Sequence, residues 1–430
     1  MSHYFKSLDG EHRVYSSYLL CDRYRDILSV NNQEPLIARG SGLSPSDASF
    51  GFRIQSIDIR HFDRILSFDP KENTVRVEGG ISIGDLSQFL LQNERHLPVL
   101  PFHPQHTLGG CVACNQIGLT TPNESFKDSI RSLKVYHPTL GIQTLQPGEQ
   151  LFDLTIGGLG LTGIILEVEL KTIPSTHWGW ELKNKPVQDL VAGFFSILRS
   201  ADPSYSWHML WGSKAEYGRG IFTTASPTGS HGPVKEFTAF HEKDVISELD
   251  MTLFSPTSTP LIQEWKYYKE KFKKPEIVHY LKLAFYDAEK RRYWRAFGNQ
   301  GVLVFEGLIK EVFHQAFFEK LHKLVQRFGP TIPRALFFKH NTEPGLLRFG
   351  GTGVVMQLHL PRNEKNRVFL NQLIECACEL QMPLNLAQNS CIQEIHARKL
   401  FPDFDKIKYA LSLYDKDRRF QSGLSRRLGL

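Results

Sequence analysis

The chain has 430 residues, more than the roughly 250 to 300 at which a single core stops growing, so at least two domains are expected. Hydrophobic residues make up 41% and charged residues 22%, an ordinary globular balance that excludes a disordered or fibrous chain. The net charge of +6 comes from 51 basic and 45 acidic residues dispersed along the sequence, without the basic block of a nucleic-acid binder, so nucleic acid is not an expected partner.

No run reaches the roughly 18 apolar residues that a membrane span needs, so no transmembrane segment is expected. The opening MSHYFKSLDG lacks the pattern of a signal peptide, which points to a cytoplasmic location. Six cysteines in so long a chain suit neither a disulfide framework nor a zinc site, and all are read as free thiols with no metal.

In chain order, the first predicted element is the apolar run Leu36-Ile37-Ala38 entering Arg39-Gly40-Ser41-Gly42, a strand that ends in a turn able to cradle phosphate. Residues 74–78 read as a strand by their valines, and Ser82 with Asp85 starts a helix burying Leu86, Phe89 and Leu90. A strand is expected over 98–100. The turn-rich segment 101–118 leads to strands over 132–137 and 163–172, the second with Ile164, Leu166, Val168 and Leu170 alternating onto one buried face. A domain boundary follows near Ile173-Pro174. The aromatic-rich region from 174 to about 300 shows no clear period. Beyond it come a strand (302–309), a helix (312–328) closed by Gly329-Pro330, strands near 335–339 and 354–360, a helix (364–380) and a strand (384–388). This β-α-β-β-α-β order predicts an α+β domain with an antiparallel sheet.

Three stretches carry chemistry: Arg39-Gly40-Ser41-Gly42-Leu43-Ser44, the segment from His106 to Gly118, and Gly157-Gly158-Leu159-Gly160-Leu161-Thr162-Gly163-Ile164-Ile165. Their glycines can aim several N–H groups at one point, which binds a diphosphate without lysines. One such hexapeptide alone reads better as a plain strand-to-strand turn. Two small-residue turns could grip one cofactor, and the third lets a flat ring lie against the main chain.

On residues 35–49, 77–115, 151–171 and 414–428 the sequence resembles the FAD-binding domain of PCMH type shared by vanillyl-alcohol oxidase, aldonolactone oxidases and their relatives. Within that family it is most similar to the flavoprotein half of a two-protein sugar epimerase. The resemblance implies a two-lobed FAD-binding domain (1–173), a substrate domain (174–382) and a C-terminal segment (383–430) returning to the FAD domain. It assigns FAD contacts to Arg39, Gly40, Ser41, Gly42, Leu43, Ser44, Asp47, Ala48, Phe102, Thr107, Leu108, Gly109, Gly110, Cys114, Asn115, Ile117, Gly118, Gly163, Ile164 and Asn385. Covalent members attach FAD through a histidine where this chain has Leu43, so non-covalent FAD is expected.

Carried over residue by residue, the family's substrate-site tryptophan, tyrosine and lysine fall on Trp211, Tyr286 and Lys339, positions that aromatic core packing or simple surface exposure explains equally well. The departures say more. The lysine near the reacting hydroxyl becomes Gln388, the flavin-adjacent histidine and a nearby lysine become Ile117 and Leu119, a pocket cysteine becomes Gln357, a glutamine becomes Glu306 and a first-turn tyrosine becomes Pro45. Glutamine cannot accept a hydroxyl proton at neutral pH. Strand alternation groups Val304 with Glu306, and Val355 with Gln357 and His359, on the side the family uses for substrate. Glu306 or His359 is therefore the expected base, with Gln388, Gln357 and Asn385 contacting substrate.

The expected activity is FAD-dependent dehydrogenation of a secondary hydroxyl on a sugar or polyol to a ketone, and the resemblance adds a separate NAD(P)H-dependent reductase as partner. Two alternatives stand beside it: an aldonolactone or alditol oxidase using oxygen, and an FAD-binding protein without dehydrogenase chemistry. The resemblance leaves open a lipid-linked substrate and peripheral attachment at the inner face of a membrane.

Overall fold

The computed structural model describes residues 2–30, 34–175, 179–211, 217–228, 251–286 and 291–430, with the main chain alone at 291 and 292. A first sheet orders the strands Ser2–Lys6, Arg13–Leu20, Gln55–Asp58 and Leu36–Arg39, the last three mutually parallel. Leu36 and Ile37 are buried there, as a short continuous apolar run in a parallel strand should be. A second sheet, antiparallel throughout, orders Ile65–Asp69, Thr74–Glu78, Ile164–Lys171, Ile130–His137 and Gly141–Leu145. The helix Ile83–Gln92 packs on it through Leu86 and Leu90, and the Ser82 hydroxyl caps it by accepting the Asp85 N–H at 3.0 Å.

Two local expectations give way here. The strand over 164–171 is buried on both faces, because its register breaks between Ile165 and Glu167. Ile164 and Leu166 enter the core of the first sheet, while Ile165, Val168 and Leu170 enter that of the second. A bulge re-aims every side chain beyond it. No strand forms over 98–100, where Pro98 lacks an N–H to donate; pairing falls instead on Arg95–His96 against Ile173–Pro174.

The third sheet has seven antiparallel strands in the spatial order Glu276–His279, Gly179–Val187, Gly220–Pro227, Ser204–His208, Arg334–Thr342, Gly351–Pro361, Val302–Ile309. Four of these come from the stretch without a legible period. Helices Leu190–Arg199, His314–Phe328 and Glu364–Glu379 cover one face, burying Phe194, Phe317 and Phe369 against Phe305, Phe337 and Leu358. On the opposite face Leu308, Leu336 and Val355 pack with Phe102 and Ile117 from the N-terminal third. Glu306 and Gln357 are cross-strand partners, as are Val304 and His359, and all four share the parity of Leu308 and Val355.

After residue 383 the chain leaves this sheet. The strand expected over 384–388 shrinks to a single bridge between Leu384 and Gly307. Helices Glu394–Leu400, Phe404–Tyr414 and Gly423–Leu428 then lead back to the first sheet. Leu36 donates its N–H to the Arg419 carbonyl (2.7 Å) and accepts from Gln421 N–H (3.0 Å), so Phe420 lies beside the first strand of the glycine-turn unit. Arg427 donates to the Asp47 carboxylate (3.1 Å) and to the Ile392 carbonyl (2.7 Å), which clamps the tail onto the loop after Gly42.

Candidate active site

The three glycine-bearing loops converge on one groove. Gly40, Ser41, Gly42, Leu43, Ser44 and Ala48 form one wall, and Thr107, Gly109, Gly110 and Cys114, at the helix Leu108–Cys114, form another. Gly160 and Gly163 close the third side. A Cβ on Gly40 would lie 2.0 Å from Thr107 Oγ1. Gly42 has φ of +66°, and Gly163, at φ +144°, would push a Cβ to 2.5 Å from Val135 Cγ1. The close approach at Gly40 and the positive φ at Gly42 and Gly163 favour glycine. No Asp, Glu, Lys or Arg is among the described lining residues, so an anionic group would be held by amides and hydroxyls and would meet no carboxylate. The mostly apolar, small-residue walls fit a bound cofactor. Burial pushes the Cys114 thiol up to about 11 and that of Cys111 well above its usual value, so neither is a ready nucleophile toward a ring lying there.

A second cavity adjoins the groove, sharing Leu43, His106, Gln116 and Gln388 as lining residues. Its remaining lining includes Glu306, Gln357, His359, Phe102, Ile117 and Pro45. The Glu306 carboxylate is buried, with Oε2 accepting from Gln357 Nε2 and Oε1 from Asn385 Nδ2, both at 2.8 Å. The main chain of Glu306 is bracketed by Asn389, whose Oδ1 accepts the Glu306 N–H (3.1 Å) and whose Nδ2 donates to the Glu306 carbonyl (2.8 Å). This grip is why 384–388 turns instead of pairing: Asn389 Nδ2 also donates to the Asn385 carbonyl (2.8 Å), and Asn385 Oδ1 accepts the Ala387 N–H (3.2 Å). His359 Nδ1 lies 3.0 Å from the Tyr293 hydroxyl, with the Trp294 ring 5.0 Å away. Two polar atoms in this region, Gln357 Oε1 and Trp294 Nε1, are buried without a protein partner, which a hydroxylated ligand could satisfy.

Other residues singled out in the sequence lie elsewhere. Arg39 donates to Ser49 Oγ (2.8 Å), Asp47 pairs with Arg427, and Asn115 adopts a left-handed conformation with Oδ1 accepting the Lys127 N–H. Leu108 and Ile164 are core residues, Leu119 is buried beside Ile117, and Gly118 packs on the Leu100 carbonyl. Trp211 lines a separate cavity with Tyr217 and His322, its Nε1 donating to Gln263 Oε1 at 2.6 Å. Tyr286 packs edge-on against Tyr205 under the Arg334 guanidinium, and Lys339 Nζ donates to the Ser200 carbonyl (3.2 Å). None of these three lines the second cavity. That cavity includes Leu8, His103 and Trp294, which sequence reasoning did not single out, beside His106 and Gln116 of the second glycine-bearing stretch; the pair His103 and His106 in a turn-rich segment was the available signal.

The fold has solved counterparts. A cholesterol oxidase variant of Brevibacterium sterolicum superposes over 100% of this chain and 97% of its own, with a TM-score of 0.76 at 11% sequence identity. Residues 25–146 match the family described as FAD binding domain, and FAD is the cofactor that this match indicates. Decaprenylphosphoryl-beta-D-ribose oxidase of Mycolicibacterium smegmatis is 33% identical over 144 residues, 33% of this chain and 31% of the relative. D-lactate dehydrogenase of Anaerostipes hadrus is 30% identical over 158 residues, 34% and 33% respectively. The chain spans about a third of the length of the curated relatives it matches.

Proposed function

We propose that the protein is an FAD-dependent oxidoreductase that dehydrogenates a secondary hydroxyl of a sugar or polyol to a ketone, with residues 1–173 and 383–430 holding FAD and 174–382 carrying most of the substrate site. The observation that carries this reading is the second cavity, which adjoins the glycine groove and holds a buried carboxylate fixed by two amides. Relatives named for a ribose derivative and for D-lactate support a CH–OH donor.

FAD, when bound, accepts a hydride from carbon. The protein's part is to hold the carbinol against it and take the hydroxyl proton. Glu306 is the proton acceptor at one of its carboxylate oxygens, which Asn385 and Gln357 keep in place. Gln357 Oε1 and the Gln388 amide orient neighbouring hydroxyls, and Phe102 and Ile117 exclude water. His359, anchored by Tyr293, is the second candidate base. Trp211, Tyr286 and Lys339 have no role in this site. Leu43 offers no nucleophile, so FAD is held without a covalent bond.

The test is acid precipitation of the purified protein followed by anaerobic addition of sugars and polyols. A yellow supernatant and bleaching of the native flavin by one substrate class are expected; flavin that stays with the pellet refutes non-covalent binding. Slow reoxidation of the reduced flavin by air is expected, with a separate NAD(P)H-dependent reductase acting on the ketone product, and rapid reoxidation in air points to the lactone- or alditol-oxidase reading. Failure of every substrate to bleach bound FAD favours a protein without dehydrogenase chemistry.

A further inference from the structure

The helix Ser258–Lys271 is inverted relative to an ordinary surface helix. It docks on the seven-stranded sheet through Thr259, Gln263 and Tyr267, with Gln263 Nε2 donating to the Ile332 carbonyl at 2.9 Å and Oε1 accepting from Trp211. That polar grip leaves the opposite face to solvent. Leu261, Trp265, Tyr268 and Phe272, spaced by four, three and four residues, are 71, 65, 49 and 72% exposed and form one apolar, aromatic stripe. Exposed single side chains need no explanation, but four large ones on one helical face do.

The charges beside the stripe name its partner. Lys269, Lys271, Lys273 and Lys274 are exposed at its C-terminal end. The neighbouring carboxylates are engaged: Glu264 with Arg219, Glu270 with Asn184, and Glu276 with Lys273. Lys269, Lys271 and Lys274 make no ion pair with a described residue. Lys269 Nζ lies 5.0 Å from the Trp265 ring and Lys271 Nζ 5.5 Å from that of Phe272, so the ammonium groups stand where aromatic rings would enter an interface. Among the described residues no helix is long and apolar enough to cross a membrane.

We propose that this helix face is a docking site for an anionic lipid bilayer, with Leu261, Trp265, Tyr268 and Phe272 entering the headgroup boundary and the lysines meeting lipid phosphates. The inference is independent of the reaction assigned above. It is tested by sedimenting the FAD-loaded full chain with vesicles of phosphatidylcholine alone or mixed with phosphatidylglycerol. The mixed vesicles should carry the protein down and the neutral ones should not. Binding should weaken roughly fivefold for each lysine neutralised in Lys269→Gln and Lys274→Gln. The pair Trp265→Ala and Phe272→Ala should abolish it while flavin content and melting temperature stay unchanged, because both side chains are exposed. No sedimentation with anionic vesicles, or sedimentation untouched by the aromatic pair, overturns the proposal. So does a concentration-dependent dimer that the same pair dissolves, which assigns the stripe to a second copy of this chain.

Discussion

Replacing Glu306 by glutamine tests the proposed chemistry with little change of shape. The carboxylate accepts one amide hydrogen on each oxygen, from Gln357 and Asn385, both at 2.8 Å. A glutamine side chain in its place can accept on one side only, and its new NH₂ would face an amide NH₂ on the other. Gln357 can relieve that clash by turning its amide, because its Oε1 has no protein partner and can accept from the new group. Exchanging charged for neutral hydrogen bonds then costs about 1–3 kcal/mol of stability, and the groove glycines are untouched, so FAD remains bound. Loss of the proton acceptor should slow flavin reduction by roughly 10²–10⁴-fold, about 3–5 kcal/mol of barrier. The assay is anaerobic stopped-flow reduction with the substrate that bleaches the parent protein, run beside Glu306→Asp and His359→Gln. Reduction of Glu306→Gln at the parent rate, with Glu306→Gln still folded and yellow, refutes the assignment of Glu306; a collapse confined to His359→Gln transfers the role to His359.

Gly163→Ala places a methyl 2.5 Å from Val135 Cγ1 and 2.6 Å from the Tyr136 carbonyl in a backbone region that only glycine favours, so it should cost roughly 3 kcal/mol and release FAD, measured by denaturant midpoint and by flavin stoichiometry. Arg427→Ala leaves the mostly buried Asp47 without its guanidinium and should destabilise by about 3 kcal/mol, with weaker flavin retention on gel filtration; an unchanged melting temperature contradicts the clamp. Burial lowers His208 and His340 to about 4 from 6.5, so the unfolded chain binds more protons than the folded one between those values. Stability should therefore fall as pH drops from 6.5 toward 4, by about 3 kcal/mol for each, in urea titrations across that range. His208→Asn should flatten the slope.

The glycine groove was legible because its residues are rare for a stated reason: Gly40, Gly42 and Gly163 occupy positions that a Cβ cannot. Period-two alternation was legible too, and it groups Glu306, Gln357 and His359 on one face of the sheet. Alternation failed where the backbone inserts a residue, as between Ile165 and Glu167. It also misread 384–388, where side-chain amides of Asn385 and Asn389 replace strand pairing. His103, His106, Gln116 and Trp294 lie in turns or short elements with no period to read, and only the approach of two distant segments makes them neighbours. The helix Ser258–Lys271 was hidden because its apolar residues face solvent, so it lacks the core-facing pattern by which a helix announces itself.

The stitching of Phe420 beside Leu36 has a consequence for the order of events on the ribosome. The first sheet and the glycine turn that follows it emerge early, but the residues that flank Leu36 and the arginine that clamps Asp47 are synthesised nearly four hundred residues later. Gln388, which lies on both cavities, is equally late. A nascent chain can collapse its N-terminal sheets yet hold an unfinished groove until almost the whole sequence has left the exit tunnel. Closure is then a contact between segments nearly four hundred residues apart, the kind of pairing that forms slowly. Flavin capture should consequently trail translation, and cells short of FAD should accumulate a chain whose tail is undocked and open to proteolysis.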